Sequence, residues 1–175
     1  MTFRRDAGIE KLTARDIVND WAEADIANVI YAYGDERYAR RIARAIVEAR
    51  QITPIETTGS LAQVIESSVP ASYRHGGIHP ATRSFQALRI AVNDELGALR
   101  SGLTEARDVL GREGRIAVIS FHSLEDRIAK ETFKAWEKEG LGSQMTKKPI
   151  VPSDAEMESN PRSRSAKLRI FIKTL

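Results

Sequence analysis

Cysteine is absent from this chain. That excludes disulfides and thiolate metal sites, and it is compatible with a cytoplasmic protein. Histidine is scarce: His75, His79 and His122 are the whole supply. Three histidines are thin material for a zinc centre, so no metal is expected. No apolar run approaches the roughly 20 residues of a membrane span, and no signal peptide pattern opens the chain. The expectation is therefore a cytoplasmic chain with no membrane partner. Neither G-x-G-x-x-G nor a P-loop occurs, so nothing cradles a nucleotide cofactor. The G-x-S-x-G elbow of a nucleophilic serine is missing as well. Internal repeats and low-complexity tracts are also lacking.

What is present is ordinary globular material, with 42% hydrophobic and 29% charged residues. A length of 175 residues suits one domain, or one domain with an insertion. Net charge is only +3, from 27 basic and 24 acidic residues, but the distribution is uneven. From Asn160 onward the chain carries Arg162, Arg164, Lys167, Arg169 and Lys173 and no acid. A polyanion partner fits that tail, and so does a solvated basic surface.

Helical signals fill the first two thirds. Thr13 and Asp16 form a capping box for a short helix. A second helix is predicted from about Glu23 to Tyr33, with Ile26, Val29, Ile30 and Tyr33 on one face and Gly34 as its stop. A third runs from about Asp35 to Ala49. Its apolar face is Tyr38, Ile42, Ala45, Ile46 and Ala49. Arg37, Arg40, Arg41 and Arg44 make the opposite stripe, either a phosphate grip or a wet face. Ser60 to Gln63 reads as a further cap, with Pro70 ending that element. Tyr73 to His79, with Gly76 and Gly77, reads as a loop. One long helix is predicted from Pro80 to about Arg100, then a short one near Leu103 to Leu110.

The run R-I-A-V-I-S-F-H-S-L-E-D-R, Arg115 to Arg127, carries the strongest signal. Its apolar part does not alternate, so it reads as a strand buried on both faces inside a parallel sheet. Ser123 and Asp126 read as the capping box of a helix that follows at once. Ser120, His122 and Ser123 then sit where a strand's carboxyl end meets a helix amino end, the crevice in which open α/β sheets bind ligands. A serine hydrolase is disfavoured, because capping accounts for Ser123 and Asp126. His122 is either a structural residue or a substrate contact. Gly140 and Gly142 read as a turn, Met145 to Val151 as a strand, and Ser153 to Glu156 as a cap. A last strand, Lys167 to Thr174, alternates Leu168, Ile170 and Ile172 against charged neighbours. Arg83, at a helix start, and Arg162, Arg164 and Lys167, in the tail, are candidate phosphate contacts. Their blander readings are an amphipathic helix start and a polar loop. Nothing in the sequence specifies an oligomer.

Five segments together resemble one family. They are G-D-E-R-Y-A-R-R-I-A-R-A-I-V (Gly34 to Val47), H-P-A-T-R-S-F-Q-A-L-R-I (His79 to Ile90), the V-N-D-E-L that follows, G-R-I-A-V-I-S-F-H-S-L-E-D-R (Gly114 to Arg127) and N-P-R-S-R-S-A-K-L-R (Asn160 to Arg169). They are similar to the bacterial small-subunit ribosomal RNA (cytosine-N(4)-)-methyltransferase family, in the right order over nearly the whole chain. The resemblance implies an α/β protein: a Rossmann-like methyltransferase sheet with an α-helical substrate-recognition domain inserted in it. It implies that residues 1–100 are the helical insertion and 101–175 the carboxyl-terminal part of the methyltransferase domain. The implied chemistry is S-adenosylmethionine-dependent methylation of the exocyclic amine of a cytidine in small-subunit ribosomal RNA. Met1 to Asp6 resembles an interior segment of the family, so the S-adenosylmethionine site is expected in a missing amino-terminal part and at no residue here. On this reading His122 is the catalytic candidate. Ser120, Ser123, Arg83, Arg162, Arg164 and Lys167 would contact substrate RNA. The alternative is a non-catalytic RNA-binding module.

Overall fold

A computed structural model describes residues 12–75 and 77–174, so the expectations for Met1 to Asp6 and for Gly76 lie outside the described residues. The chain divides after Glu95 into two compact units.

The first unit is helical: α1 (Ala14–Asp20), α2 (Glu23–Gly34), α3 (Ala39–Ile52), α4 (Thr58–Ser68), α5 (Ala71–Arg74) and α6 (Thr82–Asn93). The predicted Thr13 box is present: Asp16 N–H donates to Thr13 Oγ1 at 3.2 Å, and Thr13 N–H donates to the Asp16 carboxylate at 2.7 Å. Ile17, Ile26, Ile30, Ile42, Ile46, Ile65 and Leu88 are fully buried in one cluster. Each contributes roughly 1.5–3 kcal/mol of burial.

Local boundaries differ from expectation for identifiable reasons. Gly34 does not stop α2 by adopting a left-handed conformation; Asp35 does, at φ 50°. Gly34 is the last helical residue, and its missing side chain matters because a Cβ there would lie 2.6 Å from the Arg83 carbonyl oxygen. Helix α3 begins at Ala39, so Arg37 precedes it, while Arg40, Arg41 and Arg44 stay exposed. Helix α4 is capped by Thr57 with Ser60, three residues before the expected start. The long helix predicted through Arg100 breaks at Asp94, which is left-handed at φ 47°. Asp tolerates that conformation. Arg89 bridges the break with a two-pronged ion pair to Glu95 at 2.8 and 2.9 Å. The chain continues as one helix, α7 (Glu95–Val109), and no separate short helix forms near Leu103.

The second unit opens with α7, whose Leu103 is buried with Ile116, Phe133, Trp136 and Phe171. It goes on to β1 (Arg115–Ser120), α8 (Ser123–Lys138), β2 (Gly142–Gln144), α9 (Asp154–Ser159), a 3₁₀ turn (Pro161–Ser165) and β3 (Lys167–Lys173). The sheet order is β1-β3-β2, and both pairings are antiparallel. Helix α8 covers one face. There Phe171 meets Phe133 and Trp136 with ring centroids 5.4 and 5.3 Å away.

The expectation that β1 is buried on both faces inside a parallel sheet fails for the described residues. Ile116 and Ser120 point under α8, but Ala117 is exposed and Ile119 is 60% exposed. The one neighbour of β1 among the described residues is β3, and it is antiparallel. The apolar row Leu168, Ile170 and Ile172 is not the buried face of β3; Arg169 and Phe171 are. That row pairs with Ile119, Ala117 and Arg115 on the face α8 does not cover. The second strand along the chain, at the sheet edge beside β3, is Gly142–Gln144, expected to be a turn, and not Met145 to Val151. Of that stretch, Met145 N–H still donates to Ile170 O, and Ile150 makes an isolated bridge with Leu168. Glycine is needed at position 142, where a Cβ would collide with the Ile172 carbonyl and lie 2.7 Å from the Phe171 ring.

Candidate functional site

The strand end at Ser120 passes into α8 through Phe121 and His122. The helix is capped by His122 and not by Ser123. Glu125 N–H donates to His122 Nδ1 at 3.3 Å. The Glu125 carboxylate receives Phe121 N–H at 2.9 Å and His122 N–H at 3.4 Å. The capping box is thus shifted one residue toward the amino end. Since Nδ1 accepts, the proton of the neutral ring sits on Nε2, which lies 3.4 Å from Glu125 Oε1. The side chain is only 9% exposed. Ser120 is buried and its hydroxyl donates to the Lys167 carbonyl at 3.3 Å. Ser123 is exposed on the first turn of α8.

Asp126, released from the cap, turns to β3. Arg169 Nε donates to its Oδ1 at 2.7 Å and Nη2 to Oδ2 at 3.4 Å; Lys167 Nζ lies 3.4 Å from Oδ2. Arg169 is 6% exposed and the Asp126 side chain 13%. Burial disfavours ionisation of Asp126, but the Arg169 guanidinium and Lys167 ammonium outweigh it and hold the carboxyl below its ordinary range. This pair was not anticipated. An arginine inside the apolar run L-R-I-F was the available signal, because a strand that buries a guanidinium must supply an anion.

The structure therefore gathers Ser120, His122, Ser123 and Lys167 at one sheet end, with Asp126 and Arg169 behind them. Arg162 and Arg164 are exposed on the 3₁₀ turn just before β3, and Ser163 anchors that turn by donating to Asn160 O at 2.8 Å. Arg83 belongs to the first unit, where its Nη1 donates to the Asp35 carbonyl at 2.9 Å. There, Tyr73 donates its hydroxyl to the buried Glu36 at 2.5 Å. Burial and the Glu36 carboxylate push the Tyr73 phenol up to about 12.

Among the described residues, the strand-to-helix junction does not fit S-adenosylmethionine. The β1–α8 junction lacks a glycine-rich turn, and its helix amino end is occupied by the His122 ring and the Glu125 carboxylate.

Residues 3–174 match the MraW methylase family. A protein named ribosomal RNA small subunit methyltransferase H from Synechococcus elongatus is 55% identical over 99% of this chain and 59% of its own length. Proteins of the same name from Symbiobacterium thermophilum and Coprothermobacter proteolyticus are 53% and 55% identical, covering 93% and 94% of this chain and 56% and 54% of theirs. The chain spans a little under three fifths of the length of these relatives. By sequence and by these likenesses, the chain belongs to the MraW methylase family.

Proposed function

We propose that this chain is the RNA-recognition portion of an S-adenosylmethionine-dependent methyltransferase of the cytoplasm. Its target is the exocyclic amine of a cytidine in small-subunit ribosomal RNA. The observation that carries this reading is the family match over residues 3–174, together with relatives named for that RNA at up to 55% identity. It favours the enzyme over a free-standing RNA-binding module.

The helical first unit, which ends at Glu95 and not at Arg100, is assigned to the substrate-recognition insertion. The remainder is assigned to one end of a Rossmann-like sheet. Among the described residues, the exposed Ala117 and Ile119 and the edge of β1 away from β3, which has no strand beside it, support a sheet that continues with further strands. The cofactor site is placed outside these residues. Within the chain, Arg83, Arg162, Arg164 and Lys167 bind backbone phosphates, and Ser120 and Ser123 form part of the pocket wall. Both His122 ring nitrogens face Glu125, which supports a positioning role more than direct catalysis. The amine of cytosine is a weak nucleophile, so holding the splayed base in line is the main demand on this half.

The test is a chimera in which residues 3–174 replace the matching segment of the Synechococcus elongatus relative. Nucleoside mass spectrometry of treated small subunits should show a new methyl group on a cytidine amine. A folded chimera that binds S-adenosylmethionine yet leaves the RNA unmethylated refutes the proposal.

A further inference from the structure

Two adjoining clefts in the first unit share one wall, Arg37. One, of about 310 Å³, is lined by Arg37, Tyr73, His79 and Arg83 among others. The other, of about 430 Å³, is lined by Arg37, Asn28, Tyr31 and Arg40 among others. The Arg37 guanidinium lies over the rings of Tyr38 and Tyr73, 4.8 and 5.0 Å from their centroids. Those rings meet edge to face at 5.0 Å. Glu36, fully buried, fixes both: it accepts the Tyr73 hydroxyl and the Tyr38 backbone N–H. Arg83 is anchored by a neutral carbonyl, that of Asp35. Neither Arg37, Arg40 nor Arg83 enters an ion pair among the described residues. Two guanidiniums are thus held in place at one cleft without a carboxylate bonded to either.

Holding a cation on aromatic faces and a carbonyl keeps its charge available while lowering the entropy cost of using it. The charges of Arg15, Arg89 and Arg169 are by contrast met by acids, and Arg50 is engaged by two carbonyls, those of Val18 and Trp21. Beside these cations Tyr31 is 66% exposed, a large ring in water with nothing covering it. Positive charge tracking a groove with an exposed ring for bases is the pattern that binds single strands.

We propose that these two clefts form one groove for single-stranded RNA. A phosphate is clamped between Arg37 and Arg83, the next lies toward Arg40, and an unpaired base stacks on Tyr31. This rests on the RNA substrate proposed above and assigns where a strand lies on the first unit.

The experiment measures binding of a fluorescent single-stranded RNA 12-mer to the 175-residue chain across a salt series. Arg37→Gln with Arg83→Gln should weaken binding and reduce the slope of log K against log salt by about 0.7, the value for one single-strand phosphate. Tyr31→Ala should weaken it roughly tenfold with the slope unchanged. A duplex of the same sequence should bind more weakly than the single strand, and inorganic phosphate should not displace the RNA at low millimolar concentration. These substituted side chains are exposed, and unchanged circular dichroism melts confirm folding. Should the groove variants keep wild-type affinity and slope while Arg162→Gln with Arg164→Gln loses binding, the groove is refuted and the RNA reading stands. If the unmodified chain binds no RNA, both fail.

Discussion

Removing the carboxylate of Asp126 should strand a buried cation. Arg169 is 6% exposed, and its side-chain partner is Asp126, at 2.7 Å from Nε; its Nη1 is buried without a hydrogen bond. Breaking a buried pair from one side costs about 3–5 kcal/mol, mostly the unpaid desolvation of the remaining charge. Asp126→Ala should therefore cost about that much in the second unit, and Asp126→Asn somewhat less, since an amide oxygen still accepts one bond. Replacing both partners, Asp126→Leu with Arg169→Met, should cost far less than the sum of the singles, because no charge is left buried. Lys167, with a side chain 40% exposed, can return to water. The assay is urea unfolding followed by tryptophan fluorescence. Trp21 lies in the first unit and Trp136 in the second, so a Trp21→Phe background makes the signal report the sheet. Acid gives a second reading. A carboxyl held below its unfolded value contributes stability above that value, and the contribution is lost as pH falls through the folded one. Stability should hold level above about pH 5 and decline below about pH 4. Asp126→Asn should lack that share of the decline. A cost under about 1 kcal/mol for Asp126→Ala, with an unaltered acid limb, would show that the pair is solvated and the reasoning wrong.

Other perturbations probe other contacts. Tyr73 titrates near 12, so its contribution is complete below the unfolded value near 10 and is lost between about 10 and 12. Alkaline difference spectra should lose that late step in Tyr73→Phe, which also costs about 1.5–3 kcal/mol by orphaning a charged acceptor; persistence of the step reassigns it. Gly34→Ala forces a methyl to 2.6 Å from the Arg83 carbonyl and should destabilise the first unit by about 1–3 kcal/mol, measured by calorimetry. His122→Ala should remove a cap worth roughly 0.5–2 kcal/mol, and His122→Asn should restore it. If His122 acts by positioning, Asn should also restore methyl transfer in the chimera; stability without activity would reinstate a direct catalytic imidazole.

What could be read beforehand was decided within a few residues. The Thr13 box, the inward Ile26 and Ile30 of the predicted α2 face, and the existence of the last strand all depend on near neighbours or simple alternation, while Val29 and Tyr33 of that face stay half-buried. The break at Asp94 was hidden because Leu96 and Leu99 continue the apolar period into α7. In β3 both faces offer apolar groups, Leu168, Ile170 and Ile172 on one and Phe171 on the other. The choice was made by Phe133 and Trp136, more than thirty residues earlier in the chain. Histidine is outside the usual set of capping residues, so Ser123 looked the better cap than His122. The groove around Arg37 was half visible. An arginine stripe marked the charge, but only folding brings Tyr73 and Arg83 beside it.

The place of β3 has a consequence for synthesis. It is the middle strand, yet it follows both strands that it joins. A ribosome that has finished Gln144 has already made β1 and β2, and the strand that joins them among the described residues, β3, is still to come. At about 5–20 residues per second, they wait a second or more for Lys167 to Lys173 to emerge. The helical first unit carries no such dependence and is free to form while translation continues. A nascent chain stalled before Lys167 would then show a protease-resistant helical core followed by a sensitive tail, with resistance spreading to Arg115 only after β3 clears the exit tunnel.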